Sequence, residues 1–190
     1  PYFRFLHHLP FVDSIPSPFL KPFAGRQVLF LPHTKAPEEW DNKMLYDAEV
    51  IFMHQTVSGA KSETGVSLEG MAATTLASAK KAVIWSGDVH VPQKIGPVEY
   101  VGAPYPVRFG DVFKPRAVLL SKNLREVTDL KTPSFSRLSV TLDPEKLTLS
   151  GLAAGDQIKV KVRMTRAQFG DWGRVKRSVL DQCSKLGVEL

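Results

Sequence analysis

Four apolar residues, Ala82, Val83, Ile84 and Trp85, run without a break into Ser86-Gly87, and Asp88 and His90 stand just beyond them. A short burst rich in β-branched and aromatic side chains, stopped by Ser-Gly, predicts a buried strand. In α/β proteins the carboxyl ends of such strands are where ligands bind. Asp88 and His90 are two residues apart, so an extended backbone would send both side chains to the same side, and a carboxylate beside an imidazole suits a divalent cation. Residues 49–54 (EVIFMH) form a second apolar run that ends in a histidine and is followed by a turn over residues 55–59. The pattern therefore predicts one site, at the ends of two strands, into which His54, Asp88 and His90 converge.

The flanking segments read as a layered α/β arrangement. Residues 27–31 (QVLFL) are a third short strand ending at Pro32-His33, and His33 reads either as solvated or as part of the same end. Over residues 36–46, Pro37 suits a first helical position, Glu38 and Glu39 suit the first turn, and Trp40, Met44 and Leu45 give an apolar stripe with Trp40 in the core. Residues 59–70 (GAKSETGVSLEG) are polar and glycine-punctuated, a loop expected to wall the substrate, with Lys61 set toward a phosphate or toward water. Residues 71–81 are alanine-rich and predict a helix, which makes a strand-helix-strand unit with the strands around it. Residues 98–101 and 116–120 predict strands that close the sheet, with turns at Gly96-Pro97 and Gly102-Ala103-Pro104. Prolines and phenylalanines crowd residues 1–25, predicting an irregular packed segment; the adjacent His7 and His8 point apart in extended chain and do not chelate one ion.

Residues 122–136 lose the hydrophobic period and predict a linker between a first domain, residues 1–121, and a small α+β module, residues 137–190. In that module residues 137–142 alternate as a half-buried strand, and residues 157–164 (QIKVKVRM) alternate strictly. Ile158, Val160, Val162 and Met164 face inward, while Lys159, Lys161 and Arg163 form an outward ladder with about 7 Å between steps. Residues 171–186 predict a helix with Asp171 as N-cap, Gly187 as stop, and Trp172, Val175, Val179, Cys183 and Leu186 on one apolar face. The charge is concentrated here: of the net +6, residues 156–190 hold eight basic side chains against four acidic ones. A basic pole favours a polyanion, which makes Lys159, Lys161, Arg163, Arg166 and Lys176 candidates for DNA contact, with a solvated sheet face as the plain alternative.

The strand-HQ at His54, the SGDVH at Asp88 and His90, then Tyr100-Val101-Gly102-Ala103-Pro104 and Phe109-Gly110-Asp111, together resemble the second half of a calcineurin-like metallophosphoesterase. Within that superfamily the likeness is to the SbcD-type DNA-repair exonucleases of bacteria and phage, over residues 28–120. Asp88 stands where the commoner motif has histidine. The resemblance implies a metallophosphoesterase-type β-sandwich flanked by helices, present here in part, followed by a capping module that contacts DNA. It implies two divalent ions, manganese foremost with magnesium, iron or zinc as alternatives, with His54 and Asp88 on one ion and His90 on the other. It also implies a homodimer and an SbcC-like ATPase partner. The family's opening elements (D-x-H, G-D-x-x-D and G-N-H-D) carry the remaining ligands and the acid-base histidine, and none stands at the head of these 190 residues. The expectation is therefore a processed product or fragment that hydrolyses phosphodiesters only when an N-terminal half is supplied, in the same product or by another chain.

The rival expectation is a non-catalytic module that binds nucleic acid or the ATPase partner, with the metal-type residues serving only as fold supports. The composition, 43% hydrophobic and 9% aromatic, is that of a chain able to bury a core. The single cysteine, Cys183, excludes an intrachain disulfide, suits a reducing cytoplasm, and reads as a small core residue and not a nucleophile. No run approaches the roughly 18 apolar residues of a membrane span.

Overall fold

The computed structural model describes residues 14–190 except 112, 125, 131, 133 and 134. His7, His8 and Pro133 lie outside the described residues. The chain is mixed α/β and divides into two compact units, one built from Pro1–Ala103 and Arg116–Lys131, the other from Pro104–Pro115 and Thr132–Leu190.

The first unit is organised by a six-stranded sheet in the order β1-β2-β3-β4-β6-β5. Its strands are β1 (Phe19–Phe23), β2 (Arg26–Leu31), β3 (Val50–Met53), β4 (Val83–Ser86), β5 (Gln93–Ile95) and β6 (Val98–Tyr100). Strands β2, β3, β4 and β6 are parallel, and β1 and β5 are antiparallel edges. The runs 28–31, 50–53 and 83–85 within the central strands are apolar at every step because both faces are covered, as parallel strands require. Leu29, Leu31, Ile51, Met53 and Ile84 pack on one face, with Trp40, Leu45 and Leu76. Val28, Val50 and Trp85 pack on the other, with Leu124, Leu120 and the stacked rings of Phe30 and Phe52. In-register rows such as Leu29, Ile51, Ile84 and Val98 align equivalent side chains across four strands. Truncating a buried member such as Ile84 to Ala would cost about 2–5 kcal/mol.

Several local expectations are corrected. Residues 19–23 are not irregular: they form edge strand β1, where Pro22 is tolerated because an edge strand has one side free of ladder bonds. The helix expected over residues 36–46 is a 3-10 turn at Pro37–Glu39 followed by the short α1 (Asn42–Asp47). The Asp41 side chain accepts from the Lys43 N–H at 2.7 Å, so capping restarts the helix after Trp40, whose ring is buried. The helix expected over residues 71–81 is only a 3-10 turn, Ala73–Leu76. Thr74, Thr75 and Ser78 weaken helix in a stretch too short to propagate it, and burial of Leu76 and Ala79 fixes the tighter turn.

The sheet closes on the β5–β6 hairpin, not on residues 116–120. Those residues form β7 (Ala117–Leu120), which pairs with β8 (Val127–Leu130) inside the stretch expected to be a linker. Arg116 holds the hairpin to the sheet through Asp129 at 2.8 Å and Glu99 at 3.1 Å, and these two acids raise its pKa further.

The second unit pairs β9 (Arg137–Leu142) with β10 (Gln157–Val162) in parallel, and the helix α2 (Trp172–Leu186) supplies its core. Val179 and Cys183 pack against Leu142, Leu149, Ile158 and Val188. Residues 104–115 belong to this unit: Arg137 donates to Val107 O at 2.8 Å, and Gly110 N–H donates to Arg137 O at 2.7 Å. Asp171 precedes α2 without capping it and instead accepts from Arg174 at 3.3 Å. Gly187, at φ 67°, ends the helix in the left-handed conformation. Trp172 and Leu186, expected on the apolar face, are 41% and 38% exposed, so the buried stripe narrows to Val175, Val179 and Cys183. Burial raises the Cys183 thiol pKa and keeps it from acting as a thiolate.

Candidate metal centre

His54 is the first residue after β3 and Asp88 the second after β4, and these strands are parallel neighbours with Met53 opposite Ser86. Exits at the same end of adjacent parallel strands, one residue out of step, bring the two side chains together, with His54 Nε2 lying 3.8 Å from Asp88 Oδ1. The backbone makes room for this. Gly87 N–H donates to Met53 O at 3.0 Å, and a Cβ on Gly87 would stand 2.6 Å from His54 Nδ1. A larger residue there would push the imidazole from this position.

Asp88 and His90 do not share a side of an extended strand, which corrects the expectation. Val89 N–H donates to Gly87 O at 3.0 Å and Asp88 takes φ 73°, a left-handed γ-turn that re-aims the Asp88 carboxylate toward His54. Such backbone costs about 1–3 kcal/mol in a non-glycine residue and concentrates at functional sites. Thr56 Oγ1 donates to Asp88 Oδ2, so one carboxylate oxygen is held and the other faces the imidazole.

His90 has a different neighbour. Its Nδ1 lies 2.5 Å from Glu63 Oε1. Its carbonyl accepts from Ala103 N–H at 2.9 Å, and Gly102, at φ 86°, presses so close that a Cβ there would meet His90 O at 2.8 Å. This explains the Gly102-Ala103-Pro104 turn: it clamps the backbone that carries His90. Tyr100, at the end of β6, clamps the other segment. Its buried hydroxyl accepts from Val57 N–H at 2.7 Å and donates to Gln55 O at 2.9 Å, fixing the turn after His54. Burial raises the Tyr100 pKa, which keeps that hydroxyl protonated as a donor. Ser86 Oγ also donates to Gln55 O, at 3.1 Å.

His33 follows β2 and also comes to this end. Its Nδ1 is 3.1 Å from His54 O, and because a carbonyl only accepts, Nδ1 carries the proton. A cleft of about 470 Å³ lies here, lined by His33, Thr34, Gln55, Thr56, Glu69 and Asp88 among others. Lys61 does not line it; its ammonium donates to Ser67 Oγ at 2.6 Å.

The donor types fit a borderline divalent ion, and their number does not complete its shell. Two donors about 2.1 Å from one ion sit about 3.0–3.4 Å apart at octahedral or tetrahedral angles. The His54–Asp88 separation of 3.8 Å is a few tenths of an ångström beyond that. Among the described residues, however, no group of three or more His, Cys, Asp or Glu side chains could hold a metal ion. The chain brings its donors together as two pairs, His54 with Asp88 and His90 with Glu63.

The candidate DNA contacts lie in the second unit. Lys159 and Lys161 share the exposed face of β10 opposite Ser139 and Thr141, and Arg163 lies exposed just past the strand end. Arg166 is exposed in the following turn and Lys176 is exposed on α2, so the five cations spread over three segments.

Sequence reasoning missed Glu63 and Thr56. Both lie in polar loop sequence, and no periodicity shows that Glu63 reaches a histidine 27 residues away. No protein-family model matches the chain, and no curated protein matches it. Among the described residues, no helix is long and apolar enough to cross a membrane.

Proposed function

We propose that this chain takes part in metal-dependent phosphodiester hydrolysis on DNA, in the manner of the SbcD-type exonucleases that its sequence resembles. The observation that carries the reading is the convergence of His54 and Asp88 from adjacent parallel strand ends, beside a glycine at which a Cβ would stand 2.6 Å from His54 Nδ1. His54 and Asp88 would hold one divalent ion and His90 a second, manganese foremost as in the resemblance, with magnesium, iron or zinc as alternatives. When bound, such ions supply Lewis acidity and a nucleophilic water for phosphodiester cleavage. The chain's own residues position and orient: Tyr100 and Ser86 fix the turn after His54, Thr56 fixes Asp88, and Gly102 and Ala103 fix His90. The six-stranded sheet, apolar on both faces, serves as one layer of a metallophosphoesterase-type sandwich in this reading. The second unit offers Lys159, Lys161 and Arg163 to the phosphates, and an N-terminal half supplies the ligands the two pairs lack. A reducing cytoplasm, a homodimer and an ATPase partner belong to the same proposal.

A nuclease assay with Mn²⁺ tests it. The chain alone is expected to show no sustained cleavage of linear duplex DNA, and addition of an N-terminal half bearing the family's opening motifs is expected to restore it. Sustained cleavage by the isolated chain, unaffected by His54→Ala and His90→Ala, would refute the assignment.

The rival reading, a binding module whose donor residues only support the fold, is favoured by one observation: no three-donor group occurs among the described residues. Calorimetry with Mn²⁺ separates the two. Heat that His54→Ala and His90→Ala abolish supports the metal reading, whereas DNA affinity that responds to Lys161→Ala in a chain giving no Mn²⁺ heat supports the module.

A further inference from the structure

His90 is the donor that stands apart from the His54–Asp88 pair, and the structure gives it a partner of its own. We infer that Glu63 is a positioning residue for His90: its carboxylate holds the Nδ1–H, and so leaves Nε2 as the bare nitrogen that binds the cation. The inference rests on the metal reading above and deepens it.

The chemistry is set by the acceptor. An ionised carboxylate has no proton to give, so at a separation of 2.5 Å the proton between Glu63 Oε1 and His90 Nδ1 belongs to the imidazole. A neutral imidazole with its proton on Nδ1 has its lone pair on Nε2, the arrangement in which metal-bound histidines are commonly held by a carboxylate behind them. Glu63 is well placed to fix this tautomer because its side chain is only 13% exposed, against 34% for His90. The carboxylate sits inside and the imidazole reaches outward, which is the order a supporting group and a ligand should have.

The loop that carries Glu63 is built to hold it. Gly59 N–H donates to Leu68 O at 3.1 Å and Leu68 N–H to Ala60 O at 2.7 Å, closing the base of the loop. Ser62 N–H donates to Val66 O at 2.9 Å, and Gly65 N–H to Ser62 O at 2.9 Å, turning the tip directly around Glu63. Gln93 then ties the loop to the segment after His90: Lys61 N–H donates to its Oε1 at 2.7 Å, and its Nε2 donates to Lys61 O at 2.8 Å. Two backbone bonds to one side chain, three residues from His90, fix the distance across which Glu63 and His90 meet. The loop expected to wall the substrate thus also reaches back to the site and orients one of its ligands.

The test reads the tautomer directly in metal-free protein and needs no turnover. Ring-nitrogen NMR, with the pH raised until the spectrum itself shows the His90 ring to be neutral, should show His90 as the Nδ1–H form in the parent. Glu63→Ala should shift His90 toward the Nε2–H form, and Glu63→Gln, whose side-chain carbonyl still accepts, should restore part of the Nδ1–H population. Calorimetry with Mn²⁺ should then show an affinity loss of about 10-fold or more in Glu63→Ala, the usual effect of removing such a partner, with partial rescue in Glu63→Gln. A parent His90 already in the Nε2–H form, or one that neither variant alters, overturns the assignment of Glu63. If His90→Ala leaves Mn²⁺ binding intact while the tautomer responds as described, the metal reading of His90 fails and the Glu63–His90 contact stands.

Discussion

Removal of the Tyr100 hydroxyl is the perturbation whose consequence can be worked furthest. The ring is fully buried, and its oxygen is the partner of both Val57 N–H and Gln55 C=O. Tyr100→Phe leaves the ring in place and strands the Val57 amide, whereas Gln55 O keeps the Ser86 hydroxyl as donor at 3.1 Å. The cost is therefore that of one buried unsatisfied N–H, about 1–3 kcal/mol, and not that of two. Because the lost bond spans the turn immediately after His54, the loss should be local as well as global. Urea denaturation should show a lower midpoint with an unchanged slope, equivalent to about 2 kcal/mol. Hydrogen exchange of the Val57 amide should accelerate by about 10-fold or more, since 1.4 kcal/mol is a decade in an opening equilibrium. An unchanged midpoint with a still-protected Val57 amide would show that Tyr100 is not the clamp described here.

Gly87→Ala places a methyl group against His54 Nδ1, and because that side chain is 61% exposed the ring can swing aside, so the variant should weaken Mn²⁺ binding while costing less stability than the about 1–3 kcal/mol of core overpacking; thermal melting and calorimetry on the same sample check both. Asp156 has a pKa held below its ordinary 3.8 by the N–H groups of Ala153 and then Ser136, so the stability it gives is complete above 3.8 and is lost as pH falls through the lowered value. Asp156→Asn should therefore cost about 2 kcal/mol at neutral pH and flatten the acid limb of the stability profile, read by denaturation as a function of pH. Lys161→Ala should reduce the slope of log affinity for duplex DNA against log salt by about 0.9 if that lysine neutralises one phosphate, with unaltered stability, as fluorescence anisotropy at several salt concentrations would reveal.

The parts of this molecule that were legible beforehand are those set by backbone periodicity. Unbroken apolar runs at Val28, Ile51 and Ile84 announced strands buried on both faces, and the strict alternation from Ile158 to Val162 announced a half-buried one. Histidine and aspartate just past two such runs announced a shared end. What stayed hidden depended on contacts between segments distant in sequence. Helical composition at residues 71–81 lost to the packing of Leu76 and Ala79, and Pro22 did not prevent a strand because that strand lies at an edge. The γ-turn at Asp88 could not be inferred from a two-residue spacing that equally describes extended chain. Glu63 lay in a loop whose fold is set by Gln93, more than thirty residues along the chain from Lys61, to which it is bonded.

The buried indole of Trp85 marks another limit of pattern reading. Its apolar neighbours were evident, but its Nε1 has no hydrogen-bond partner among the described residues. A buried indole N–H without an acceptor costs about 1–3 kcal/mol, and Trp85→Phe should recover part of that while losing ring area, leaving stability within about 1 kcal/mol of the parent.

Anomalous diffraction from crystals soaked in Mn²⁺ addresses the account at its centre. A manganese peak within bonding reach of His54 Nε2 and Asp88 Oδ1, absent from His54→Ala crystals, is the predicted result. A map in which manganese occupies other carboxylates and leaves the ends of β3 and β4 empty would contradict it.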